Sequence, residues 1–382
     1  MIYFNNSATS YPKPGSVIEM VDKVIREAPC DSRRSSCRTS LSDLASNCRK
    51  SLARLFNVKN HDNMVFTSGA TESLNQALSG IAFKRGDHIL STVNEHNSVI
   101  RPLKRIEAET GARVSFVKCD GEGRIDVRYF LSAITGDTKL IAVNHASNVT
   151  GALQNIEKIC ANARKLNIKT LIDASQSAGD AQIDIEKIDP DYFAFTGHKS
   201  LYSIQGIGGL YIKDPVSLRA LKVGGTGVKS DMLFQPEYMP VKFEAGTQNV
   251  TGIASLLAGT DYILNEGIEK IRKYKKELTG LALEKLMEMP EIEIIGPRSL
   301  LDRLAIISFK IKSISNSDVC YALEKSFEII IRCGLHCAPL IHEALSCYPE
   351  GTLRISFSYF NKAEEIEKFV SCLKKICMEL KA

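Results

Sequence analysis

The chain has 382 residues, of which 44% are hydrophobic and 24% are charged, and its net charge at neutral pH is +5. These values are typical of a globular protein and exclude a fibrous or largely disordered chain. The net charge is too small for this length to indicate a nucleic-acid-binding protein. No stretch reaches the run of about 18 apolar residues that a membrane span needs.

The N-terminus and the cysteines bear on the compartment. The first residues, MIYFNNSATSYPKP, lack the basic and apolar regions of a signal peptide. The eleven cysteines are scattered and odd in number, which favours reduced thiols over a disulfide framework. We therefore expect a cytoplasmic protein of enzyme size that binds neither a membrane nor a nucleic acid.

Short apolar runs alternate with helix-like stretches between residues 64 and 213. Nearly unbroken apolar strands of this kind indicate a mostly parallel sheet that helices cover on both faces. The sequence therefore predicts an α/β fold with seven strands in this part. The predicted strands are 64–66, 88–90, 114–117, 140–143, 170–172, 192–195 and 209–212.

The pattern changes after residue 255, where strands at 292–295 and 304–311 mix with amphipathic helices. This mixture predicts a smaller α+β domain. We expect a large domain at 15–255 and a small domain at 256–382 that includes residues 1–14. The final helix has an apolar face that includes Cys377 but leaves Cys372 to one side.

Ligands of open α/β sheets bind beyond the carboxyl ends of the strands, so the residues that follow each strand are candidate site residues. Thr67–Glu72 forms a small-residue turn before a helix, and its free N–H groups with the Thr71 hydroxyl suit a phosphate. A plain turn with an N-cap is the simpler interpretation. Similarly, His96 suits either stacking on a flat cofactor or a polar loop.

Two charged residues follow the next strands. Asp173 ends one apolar run, where it suits either an N-cap or a partner for a cationic ring nitrogen. Lys199 closely follows the apolar run 192–195, although burying an unpaired ammonium is costly. A lysine that forms a Schiff base must be desolvated in this way. A helix-terminus phosphate site, a stacking His, an Asp and such a Lys together predict pyridoxal phosphate chemistry.

These segments resemble the fold-type I pyridoxal phosphate enzymes of the class V aminotransferase group. Within that group the chain resembles the cysteine desulfurase and selenocysteine lyase family, almost from end to end. The segment RCGLHCA at 332–338 is similar to the short active-site loop of the SufS-like branch. The other segments that carry the resemblance are 5–9, 67–75, 94–96, 147–151, 173–176, 196–199, 243–247 and 353–356.

The resemblance implies roles for particular residues. Lys199 would hold pyridoxal 5'-phosphate, Asp173 would keep its ring nitrogen protonated, His96 would stack on the ring and Gln176 would bind its phenolic oxygen. Cys337 would accept the sulfur as a persulfide. The remaining implied positions are the phosphate cup of Ala70, Thr71, Thr196 and His198, Thr247 toward the phosphate of a partner subunit, and Asn148 and Arg354 toward the substrate carboxylate.

The chemistry of two of these residues, Arg354 and Cys337, agrees with the roles that the resemblance implies. Arg354 lies on a predicted strand, where a guanidinium is usually a surface ion pair but is also suited to clamp a carboxylate. Cys337 lies beside His336 and Arg332, and cationic neighbours favour the thiolate. A disulfide between Cys333 and Cys337, or a metal site that includes His336 and His342, is the less favoured interpretation.

Two departures from the family pattern affect the expected specificity. The segment Arg33–Arg38 has Cys37 where relatives commonly carry a histidine, and Cys333 replaces the usual Thr or Ala. The leading hypothesis is a cysteine desulfurase that converts L-cysteine to L-alanine. A selenocysteine lyase, an aminotransferase or β-eliminating lyase, and an inactive relay protein are the alternatives. The resemblance also implies a homodimer and a sulfur-acceptor protein.

Overall fold

A computed structural model describes residues 1–27 and 43–379. The strands are β1 (Ile2–Tyr3), β2 (Met64–Thr67), β3 (His88–Thr92), β4 (Arg113–Val117), β5 (Thr138–Asn144), β6 (Lys169–Asp173), β7 (Tyr192–Thr196), β8 (Gly208–Ile212), β9 (Ile292–Ile295), β10 (Ile306–Ile311), β11 (Ile329–Ile330), β12 (Arg332–Gly334) and β13 (Thr352–Ser356). The α-helices are α1 (Gly15–Arg26), α2 (Leu44–Phe56), α3 (Ala70–Gly80), α4 (Asn97–Thr110), α5 (Val127–Ser132), α6 (Ile156–Lys165), α7 (Ile185–Ile188), α8 (Val250–Glu266), α9 (Ile268–Met287), α10 (Asn316–Phe327), α11 (Pro339–Ala344) and α12 (Ala363–Glu379).

The central sheet has seven strands in the order β2-β8-β7-β6-β5-β3-β4. All seven strands that the sequence predicted are present. Five of them run parallel, from β7 across to β4, and β8 is antiparallel to both of its neighbours. The predicted fold class, a mostly parallel seven-stranded sheet flanked by helices, is therefore confirmed.

Alternate residues of the central strands enter two different cores. Ile141 and Val143 of β5 pack in one apolar cluster, together with residues of α2, α6 and α8. Leu140 and Ala142 pack in another, with residues of α3 and α4. Because successive side chains of a strand point to opposite faces, helices cover both faces of the sheet and leave the strand ends for the site.

The second sheet is antiparallel, in the order β12-β13-β10-β9. Its core includes apolar residues of α9, α10 and α12, and β1 pairs with β11 beside it. Cys377 is buried in this core, as the sequence predicted. The placement of Cys372 off the apolar face is wrong, because Cys372 is also buried in this core. The apolar face of α12 is wide enough to include it.

The proposed boundary between residues 255 and 256 falls inside α8. Buried residues on both sides of it, such as Ala254 and Leu257, belong to the same core as the central sheet. The division into two domains stays a prediction.

Cys37 and the rest of Arg33–Arg38 lie outside the described residues. Within the described residues, no helix combines the length and the apolar character that crossing a membrane requires.

Candidate active site

A cavity of about 350 Å³ lies at the carboxyl ends of the parallel strands. Its walls come from the segments that follow β2, β3, β5, β6 and β7 and from β12 and β13. Cys337 and Thr247 are not among the residues that line it. Ten of the predicted site residues do line it: Ala70, Thr71, His96, Asn148, Asp173, Gln176, Thr196, His198, Lys199 and Arg354.

Lys199 lies in the turn after β7, where its main-chain oxygen accepts a hydrogen bond from Tyr202 N at 3.0 Å. Burial lowers the pKa of Lys199 to about 8, and the nearby charges of Arg354 and Arg332 act in the same direction, against Asp173. A larger fraction of the Lys199 side chain is therefore unprotonated near neutral pH than in an exposed lysine. A nucleophilic amine needs this property.

Asp173 is the last residue of β6 and faces the cavity. Its Oδ1 accepts hydrogen bonds from Ser175 N, at 2.8 Å, and from the Ser175 hydroxyl. Nearby, Gln176 donates from Nε2 to the main-chain oxygen of Ser7 at 3.0 Å. The N-terminal segment thus forms part of the site, since Ser7 and Ala8 also line the cavity.

His96 is the N-cap of α4. Its Nδ1 accepts a hydrogen bond from Ser98 N at 3.0 Å, which leaves the proton of a neutral ring on Nε2. Burial, followed by the charge of Lys199, lowers the pKa of His96 to about 4. The ring is therefore uncharged near neutral pH, and its contact with Ser98 N fixes its orientation. The role of His96 as a stacking residue stays a prediction.

The helix N-terminus at α3 forms another end of the cavity. Thr71 Oγ1 lies 2.8 Å from Ser98 Oγ, so two of the cavity walls are joined. Gly208 must lack a side chain here, because a Cβ on it would lie 2.7 Å from the Cα of Gly69. His198 lines this cavity too, and its Nδ1 is buried without a partner among the described residues.

Arg354 lies in β13 and is 2% exposed. Its Nη1 donates to Asn148 O at 2.9 Å and its Nη2 to Asn5 Oδ1 at 3.2 Å, whereas its Nε has no partner among the described residues. No carboxylate in the described chain pairs with it, and burial lowers its pKa to about 9. A buried guanidinium in this state favours a carboxylate ligand.

Cys337 is exposed at the edge of the site, in a left-handed backbone conformation with φ of 59°. Its Sγ lies 4.0 Å from Arg332 Nη2, and its main-chain oxygen accepts from Asn97 N at 2.7 Å. The expectation that His336 is a second cation is wrong. Burial lowers the pKa of His336 well below its usual value, so the imidazole beside Cys337 is neutral.

The alternative pairings of cysteines do not occur in the structure. Cys333 and Cys337 are both free thiols. Among the described residues, no group of three His, Cys, Asp or Glu side chains lies close enough to hold a metal ion.

Sequence reasoning missed Ser98, which contacts both His96 and Thr71. The available indication was that Ser98 lies two residues after His96, at the position whose N–H an N-cap side chain contacts.

The family model for class-V aminotransferases matches residues 2–369, and the chain belongs to this family. Its members are pyridoxal-phosphate-dependent enzymes. Within the family, the chain is 34% identical to a probable cysteine desulfurase of Pyrococcus abyssi, over 100% of this chain and 96% of that relative. It is 32% identical to a probable cysteine desulfurase of Synechocystis, over 98% of this chain and 90% of the relative.

Solved structures agree with this relationship. The apo cysteine desulfurase of Thermococcus onnurineus superposes with a TM-score of 0.91 and 32% identity, covering 98% of this chain and 94% of that one. The cysteine desulfurase CsdA of Escherichia coli superposes with a TM-score of 0.88 and 26% identity, covering 99% and 94%. The chain is therefore similar in sequence and in fold to cysteine desulfurases.

The residues present fit pyridoxal 5'-phosphate. The cavity combines a lysine of lowered pKa, a carboxylate at a strand end and a neutral histidine ring. The buried, unpartnered Nδ1 of His198 and the start of α3 supply hydrogen-bonding groups for an anionic phosphate. Arg354 also lines the cavity, and its Nε, without a partner among the described residues, is available to a second anion.

Proposed function

We propose that this protein is a pyridoxal-phosphate-dependent cysteine desulfurase that converts L-cysteine to L-alanine and receives the sulfur on Cys337. One observation carries the proposal. A lysine whose pKa is lowered and a buried arginine without a carboxylate partner line the same cavity. This pair suits an amino acid, because the lysine acts at its Cα and the arginine binds its carboxylate.

The cofactor, when bound, supplies a ring that accepts the electrons left at the substrate Cα when its proton is removed. Lys199 would hold the cofactor and then move the proton at the substrate Cα. Asp173 would keep the ring nitrogen protonated, and His96 would cover one face of the ring and exclude water. The remaining proposed contacts are Gln176 to the phenolic oxygen, Asn148 and Arg354 to the substrate carboxylate, and Ala70, Thr71, Thr196, His198 and Thr247 to the phosphate.

Cys337 would act on the substrate sulfur. Its thiolate attacks that sulfur, a new S–S bond forms, and the bond between the substrate Cβ and sulfur breaks with its electrons left on the carbon side. Protonation of that carbon yields alanine, and the sulfur stays on Cys337 as a persulfide. Arg332 supports this role because its Nη2 lies 4.0 Å from Cys337 Sγ, which places a cation beside the reacting sulfur.

We also propose a protein partner and an oligomeric state for this chain. A sulfur-acceptor protein would take the persulfide sulfur from Cys337, whose exposure supports such a transfer. We propose a cytoplasmic homodimer, in which the exposed Thr247 would reach the phosphate site of the partner subunit. The cofactor would be held by a domain at 15–255, and Cys337 would be carried by a domain at 256–382 with 1–14.

The test is alanine formation from L-cysteine and from L-selenocysteine, measured side by side on reduced protein reconstituted with pyridoxal phosphate. We expect turnover of both, with loss of at least about 100-fold for cysteine in Cys337→Ser, because the acceptor nucleophile is gone. Lys199→Ala should lose turnover of both substrates and the visible absorbance of the bound cofactor.

Cys333→Ser is the matched control, because Cys333 is a free thiol on β12 and does not line the cavity. It should keep wild-type turnover. Fast turnover of selenocysteine alone would identify a selenocysteine lyase. The absence of alanine from either substrate, or full cysteine turnover in Cys337→Ser, would contradict the proposal and favour an aminotransferase or β-eliminating lyase.

A further inference from the structure

Glu95 is a buried carboxyl that the proposed chemistry does not use. It is 0% exposed and lies between His96 and the end of β3. Its Oε1 accepts hydrogen bonds from Thr92 Oγ1 at 2.6 Å and from Asn144 N at 3.0 Å. Its Oε2 is buried and has no partner among the described residues. An ionised carboxylate so far from water needs a cation or further donors.

The groups around Glu95 supply no cation. In the described chain no lysine, arginine or histidine forms an ion pair with it. His96 is neutral, because burial lowers its pKa to about 4. The charged group that acts on Glu95 is Asp173 at the end of β6. Its negative charge disfavours ionisation of Glu95. Burial and Asp173 both raise the pKa of Glu95, which lies at about 8.

Glu95, Asn144 and Asn94 form a buried polar cluster, and two further oxygens in it have no partner in the described chain. Asn94 Oδ1 and Asn144 Oδ1 are both buried without a donor among the described residues. Their amide orientations are fixed, because Asn144 Nδ2 donates to Asn94 O at 2.6 Å and Asn94 Nδ2 donates to Gly123 O at 2.8 Å. Three buried acceptor oxygens therefore have no donor among the described residues, and a proton on the Glu95 carboxyl supplies one.

We propose that Glu95 is protonated in the folded protein and donates its Oε2–H to an amide oxygen of the Asn94–Asn144 pair. As a neutral acid, Glu95 is a positioning residue. It joins β3 to β5 directly beneath the site, where Asn144 and His96 line the cavity. A neutral Glu95 adds no second negative charge next to Asp173, which would hold the ring nitrogen of the cofactor. The protonation state of Glu95 does not depend on which amino acid the enzyme uses.

The first test compares unfolding of the wild type and Glu95→Gln by urea between pH 5 and pH 7.5, on protein saturated with pyridoxal phosphate. A group whose pKa is raised on folding stabilises the protein fully below its unfolded pKa, and that stabilisation is lost as pH rises toward the folded pKa. The folding equilibrium constant of the wild type should therefore fall about ten-fold per pH unit relative to Glu95→Gln.

Glutamine is the matched substitution because its amide, like a protonated acid, both accepts and donates. Glu277→Gln is the control, since Glu277 is exposed on α9 and should leave the pH dependence unchanged. We expect Glu95→Gln to bind pyridoxal phosphate within about three-fold of the wild type. Glu95→Ala should lose at least about ten-fold, because it leaves Thr92 and Asn144 N unpaired.

Parallel pH profiles for the wild type and Glu95→Gln would overturn the proposal, as would equal loss of cofactor affinity in Glu95→Gln and Glu95→Ala. Infrared spectroscopy of the wild type at pH 6.5 gives a measurement that needs no variant. A protonated carboxylic acid has a carbonyl band that carboxylates lack. We expect this band and its shift in heavy water; its absence would overturn the proposal even if Glu95→Gln did not fold.

Discussion

Among individual residues, Arg354 shows how tertiary surroundings change the meaning of a side chain. On a strand surface it would be one more cation, but here it is buried without an acidic partner in the described chain. Its two terminal nitrogens are held by Asn148 O and Asn5 Oδ1. The guanidinium is therefore oriented before any substrate arrives, which reduces the entropy lost on binding.

This arrangement predicts the effect of Arg354→Lys. Lysine keeps the charge but cannot make the fixed, forked contacts, so we expect the KM for L-cysteine to rise about 10- to 100-fold, the loss of roughly one hydrogen bond to a charged group. The change in kcat should be smaller. Steady-state kinetics separate the two constants, and Arg128→Lys on the exposed side of α5 is the control. An unchanged KM would mean that Arg354 does not bind the carboxylate.

At the scale of elements, α8 packs closely against the turn that carries Lys199. Gly259 in this helix has no side chain, and a Cβ there would lie 2.1 Å from the main-chain oxygen of Leu201. Ser255, one turn earlier, lies 2.6 Å from Ser203 through their hydroxyls. The helix therefore fixes the turn through close backbone contact, and only glycine permits that approach.

Gly259→Ala should consequently lower the free energy of unfolding by about 1–3 kcal/mol, because the helix must move away from the turn. Gly280→Ala in α9 is the matched control, since its Cβ would meet only the end of the Leu300 side chain. It should be neutral or slightly stabilising, because alanine favours a helix. Urea unfolding measures both variants. Equal stability of Gly259→Ala and wild type would show that the contact is not tight.

At the scale of the whole molecule, one segment exposes an unusual amount of apolar surface. Leu233 is 98% exposed and Phe234 is 85% exposed, and this segment precedes the exposed Thr247. Exposed apolar patches of this kind favour a protein interface. They support the proposed homodimer, in which the same patch would be buried against a second copy.

Light scattering should therefore give twice the mass of one chain. The double variant Leu233→Ser with Phe234→Ser should shift the protein toward the monomer and weaken the binding of pyridoxal phosphate, because Thr247 of the second copy would be lost from the site. Leu301→Ser is the control, since Leu301 is 67% exposed in another part of the chain. A monomeric wild type with full cofactor affinity would contradict the dimer.

The local sequence was sufficient for the seven central strands and for several residues of the candidate site, whereas the family resemblance supplied the others. Buried parallel strands are continuous apolar runs, and the polar residues that follow them lie at one edge of the sheet. Lys199, Asp173 and His96 were predicted from this rule, and the structure brings them to one cavity. Their individual roles stay predictions, as does the division into domains.

Only the tertiary structure decided the charge and the contacts of the site residues. His336 is next to an arginine in space, yet burial makes it neutral, and no local pattern shows that desolvation. Ser98 joins His96 to Thr71 across two elements that are separate in sequence. Glu95 is three residues from Thr92, but its environment depends on Asn144 and Asp173 from other strands. The sequence determines which elements form and where their polar ends lie, whereas burial and charge depend on residues that only folding brings together.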